Sequence, residues 1–133
     1  MISFNTVNWL AVALGTVLSM ALGVLWYGPL FGNLWLMLIE KSMDELEADP
    51  MNYVKSALAA FISMLVLNLV VVSFGAQTMI DGLMAGAVAF IGLGATATFV
   101  YTTFEGPKES VWLLYALYQL LVFTIMGGVF AMW

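Results

Sequence analysis

The stretch WYGPLFGNLWLM, from Trp26 to Met37, decides how this chain is arranged. It follows a long uncharged apolar run, breaks that run with Gly28-Pro29, and then stays apolar and aromatic. Proline inside a helix removes a backbone donor and clashes with the preceding turn, so Gly28 and Pro29 are predicted to end the first helix. Trp26 and Tyr27 then lie at a helix end, where amphipathic rings sit at a membrane surface.

The residues after the break are predicted to form a short second helix. Asn33 can cap a helix that starts at Leu34, and its apolar side chains favour a position in the membrane interface at a steep angle to the first helix. The alternative is that this segment continues the first helix with a kink. The residues from Met43 to Ala48 are predicted to form a short acidic helix outside the membrane.

The composition places much of the chain in lipid. Of 133 residues, 64% are hydrophobic and 8% are charged, whereas a soluble domain averages about 45–50% and about 25%. The absence of Cys and His removes thiolate metal sites and the commonest general base. A net charge of −5 leaves no basic stripe for nucleic acid. We therefore expect no enzyme activity, no metal and no cofactor.

Four runs are long enough to span a membrane, which takes about 20 mainly apolar residues. They cover about 9–27, 53–74, 79–103 and 111–133. Asp49-Pro50, Gly75 and the pair Thr78 and Asp81 are typical of helix ends. Because the joining loops are short, the prediction is an all-α, four-transmembrane-helix up-down bundle in a single domain of residues 1–133, with a short interfacial helix between spans one and two.

The three lysines predict the orientation. Lys41, Lys55 and Lys108 all lie on one side of such a bundle. Under the positive-inside rule, loops 28–52 and 104–110 face the cytoplasm and both termini lie outside the cell membrane.

Among the polar residues inside the spans, six are predicted to form a polar intramembrane layer: Ser19, Ser63, Asn68, Thr96, Gln119 and Thr124. At ~1.5 Å per residue, four of them fall near mid-depth, with Asn68 and Thr124 one layer further out. Such side chains can join helices by hydrogen bonds or line a ligand or ion path. No ionisable residue lies deep in a span, which favours the joining role. We expect Gln119 to bond Ser19, Ser63 or Thr96, and Asn68 to bond Thr124.

Small residues predict close helix packing on two spans. They are Gly15, Ser19 and Gly23 on span one, and Gly82 and Gly86 on span three. The packing can occur within one protomer or between copies in a homo-oligomer. In both cases the lipid bilayer is the expected environment.

Charged residues gather at the cytoplasmic mouth. Glu105 lies near Lys108, and Lys55 is on the same side. The sequence favours a charge pair that holds the two helical hairpins together. The alternative is that Glu105 is a ligand-binding acid.

Several motifs resemble a family of small bacterial membrane proteins known as domain of unknown function number 1761. They are NWLAV from Asn8, LGVLWYGPLFGNLW from Leu22, FEG from Phe104 and YQLLVFTIMGGVFAMW from Tyr118. The resemblance covers nearly the whole chain and implies a four-helix integral membrane protein without an assigned chemistry. Members often carry His where this chain has Gln119, and this departure argues against an essential proton relay there.

These observations predict a small multi-pass membrane protein that works by packing, as a structural, accessory or self-associating component. The alternative is a small transporter or channel subunit built around the polar layer.

Overall fold

The computed structural model describes residues 2–46 and 49–133, and these residues are helical apart from turns and connections. The helices are α1 (Trp9–Leu30), α2 (Gly32–Ile39), α3 (Pro50–Ser73), α4 (Met79–Phe104) and α5 (Glu109–Met132). Single 3-10 turns cover Phe4–Thr6 and Met43–Glu45. The predicted four long apolar helices, with a short helix between the first two, are confirmed.

The predicted caps of α3 and α4 are confirmed. The Asp49 carboxylate accepts the Met51 N–H at 2.9 Å, and Pro50 is the first residue of α3. After α3, Gly75 adopts a φ of 69°, a left-handed conformation that closes the helix. Thr78 and Asp81 form a reciprocal capping box at the start of α4.

The break after α1 differs from the prediction. The helix passes through Gly28 and Pro29 as a π turn, Trp26–Leu30, in which the Phe31 N–H donates to the Trp26 carbonyl at 2.8 Å. A π turn is wider than an α turn. It accommodates Pro29, which has no N–H to donate, and the helix continues. The chain leaves helical geometry at Phe31, where φ is −125°. The prediction that Gly28 and Pro29 end the helix is therefore wrong by a few residues.

The short helix α2 also starts earlier than predicted. It begins at Gly32, so Asn33 lies inside its first turn and does not cap it. A Cβ built on Gly32 would lie 2.9 Å from the Tyr27 carbonyl oxygen, so this tight turn requires glycine. Of the predicted acidic helix, Met43–Glu45 form one 3-10 turn, and residues 47 and 48 lie outside the described residues.

The long helices run antiparallel along the chain, and α5 contacts each of the other four helices. Its tightest partner is α4. A Cβ on Gly82 would overlap the Gly127 carbonyl oxygen, and one on Gly86 would overlap the Phe123 carbonyl oxygen. The two backbones therefore touch directly along this pair. We call the end that carries Lys41, Lys55 and Lys108 the lysine end, and the opposite end the terminal end.

Candidate functional site

Asn68 is the most deeply buried polar side chain in the described residues, with 1% of its surface exposed. Its Oδ1 accepts the backbone N–H of Asn8 at 3.2 Å. The Asn8 side chain in turn accepts the Ala11 N–H at 3.1 Å and caps α1. Asn68 therefore satisfies a donor at the start of α1, where the first N–H groups have no partner inside the helix. Its predicted partner, Thr124, does not bond it.

Ser19 is buried, and its backbone rather than its side chain makes the interhelical bond. The Tyr118 hydroxyl of α5 donates to the Ser19 carbonyl oxygen at 2.5 Å. A Cβ on Gly23, one turn further along α1, would lie 3.0 Å from the same hydroxyl oxygen. Gly23 therefore leaves room for the Tyr118 ring between α1 and α5.

The remaining predicted polar residues lie at separate places. Thr96 is exposed, and its hydroxyl donates to the Gly92 carbonyl of its own helix at 2.8 Å. Ser63, Gln119 and Thr124 are half-buried. Within residues 2–46 and 49–133, none of these three side chains makes a hydrogen bond. Gln119 therefore does not bond any of its predicted partners. The six residues do not form one hydrogen-bonded layer.

Buried side chains of α5 occur in both halves of the helix, and Leu114, Ala116 and Tyr118 are buried in the half nearer the lysine end. Towards the terminal end, Val122 and Met126 are fully buried. The same face continues towards the lysine end through Gln119, Tyr115 and Trp112, at the three- and four-residue spacing of one helix side. These three side chains are only half-buried.

The interior face of α3 becomes more exposed towards the lysine end. Met64 and Leu67 are each 1% exposed. Ala60 and Ala57 follow on the same face and are half-buried, and Tyr53, one turn further, is 65% exposed. The exposure of this face of α3 therefore rises from Met64 towards Tyr53.

An aromatic cluster joins α1, α2 and α5. The Trp26 ring lies 4.4 Å from the Phe31 ring, and its Nε1–H donates to the Leu114 carbonyl at 3.2 Å. The Tyr27 ring packs 5.2 Å from Trp35 of α2 and 5.9 Å from Tyr118 of α5. Trp26 and Tyr27 are half-buried, so they hold α2 against the bundle rather than only anchoring it in lipid.

The predicted small-residue faces pack inside the protomer. Gly15 of α1 lies against Met64 of α3 and Met126 of α5, and Gly82 and Gly86 lie against α5. A homo-oligomer through these faces stays a prediction, and this packing does not support it.

The charge pair at the lysine end differs from the prediction. Lys108 pairs with Glu40 at 3.2 Å, and the two side chains are 56% and 76% exposed. Glu105 and Lys55 are exposed and take part in no ion pair within the described ranges. The two hairpins are therefore joined through Glu40, which ends α2 with a left-handed φ of 57° and which the sequence reasoning missed. No local sequence pattern indicates this role of Glu40, because its partner Lys108 lies in a different loop.

The four long helices are each 22–26 residues and apolar enough to cross a membrane, which is typical of a multi-pass membrane protein. A family model described as "Protein of unknown function (DUF1761)" matches residues 10–131. The chain belongs to this family. No curated protein and no solved structure matches the chain.

Proposed function

We propose that this protein is a non-catalytic membrane component that does not conduct solutes and acts by packing, either with other membrane proteins or with itself. The observation that carries the proposal is the apolar closure of the terminal half. Val12 of α1, Val71 of α3 and Val122 of α5 each have 0% of their surface exposed. A conducting path needs polar or hydrated groups across the whole bilayer, and three fully buried apolar side chains in one core cluster disfavour such a path.

The deeply buried polar groups support the same role. Asn68 bonds the start of α1, and Tyr118 bonds the Ser19 carbonyl, so both are satisfied within the chain. Each bond joins two different helices, which is how polar groups stabilise helix packing in membranes. The Asp, Glu and Lys residues of residues 2–46 and 49–133 lie near helix ends or in connections, whereas proton and ion paths commonly place ionisable groups at depth.

A flux assay tests the proposal against the alternative of a small transporter or channel subunit. The purified chain is reconstituted in liposomes, and the release of protons, potassium ions and a small zwitterionic solute is measured. We expect rates equal to those of protein-free liposomes at every protein density. Flux that rises with protein density and changes in Gln119→Leu would support the transporter alternative and overturn the proposal.

Self-association can be measured in the same liposomes. Copies labelled with donor and acceptor dyes report association by energy transfer, which must fall when unlabelled copies are added. Loss of transfer on dilution with lipid alone would assign the packing role to a different protein partner rather than to a second copy.

A further inference from the structure

We draw no further inference here: the strongest candidate, the outward face of α3 that carries the small side chains of Ser56, Ala59 and Ser63, is a stripe of small residues, and nothing in the structure shows what covers it.

Discussion

At the scale of single residues, two amides in the bundle have opposite surroundings. Asn68 is fully buried and accepts a backbone N–H from the start of α1. Gln119 is half-buried and bonds no described side chain. Both were predicted to join helices, yet only Asn68 does so within this chain. The difference arises because a residue stabilises packing only when a complementary group lies within hydrogen-bond distance.

The first prediction compares the loss of each amide. Asn68→Leu leaves the Asn8 N–H without its partner and should lower the free energy of unfolding by about 1–3 kcal/mol. Gln119→Leu removes no described bond and should change it by about 0.5 kcal/mol or less. Reversible unfolding in mixed detergent micelles, with both variants at equal protein concentration, gives the two values. A larger loss for Gln119→Leu than for Asn68→Leu would show that Gln119 has a structural partner.

At the scale of elements, the α4–α5 pair depends on glycine where the backbones touch. Gly86 has no room for a Cβ because the Phe123 carbonyl oxygen occupies that space, whereas Gly92 on the same helix has nothing within 4 Å of such a Cβ. Substitutions at these two positions therefore distinguish a requirement for close approach of the two backbones from the general preference for small residues in membrane helices.

The second prediction uses this contrast. Gly86→Ala must push α4 away from α5 and should lower the free energy of unfolding by about 1–3 kcal/mol. Gly92→Ala adds a methyl group to an open helix position and should leave stability unchanged or raise it by up to about 1 kcal/mol. The same micelle assay measures both. Equal effects of the two substitutions would contradict direct backbone contact between these helices.

At the scale of the whole molecule, the distribution of lysines predicts how the bundle sits in the membrane. All three lysines lie at one end, and the start of α1 and the end of α5 lie at the other. Under the positive-inside rule, we expect the termini to lie outside and the lysine end to face the cytoplasm.

The third prediction tests this orientation with reporter fusions in a bacterial host. A reporter active only outside the cytoplasm should be active when fused after Trp133, and inactive when inserted beside Lys41. A reporter active only in the cytoplasm should give the reverse pattern. Cytoplasmic activity of the fusion after Trp133 would overturn the orientation while leaving the fold unchanged.

Local patterns in the sequence were sufficient for the helices and most of their ends. The lengths of the apolar runs predicted the four long helices, and Asp49-Pro50, Gly75 and the pair Thr78 and Asp81 predicted their caps. These signals act within a few residues, because helix length, capping and backbone conformation depend on neighbours in the chain. The exception was Gly28-Pro29, because a π turn there continues α1 to Leu30, three residues beyond the predicted end at Tyr27.

Only the tertiary structure decided which groups meet. Depth along a span could be counted from the sequence, and it placed Gln119 and Thr96 at similar heights. It could not decide that Thr96 turns away from the interior, that Asn68 bonds the start of α1, or that Lys108 pairs with Glu40. A height in the membrane does not determine the rotation of a helix or its neighbour. These depend on packing between segments far apart in the chain, above all on how closely the glycines let α4 approach α5.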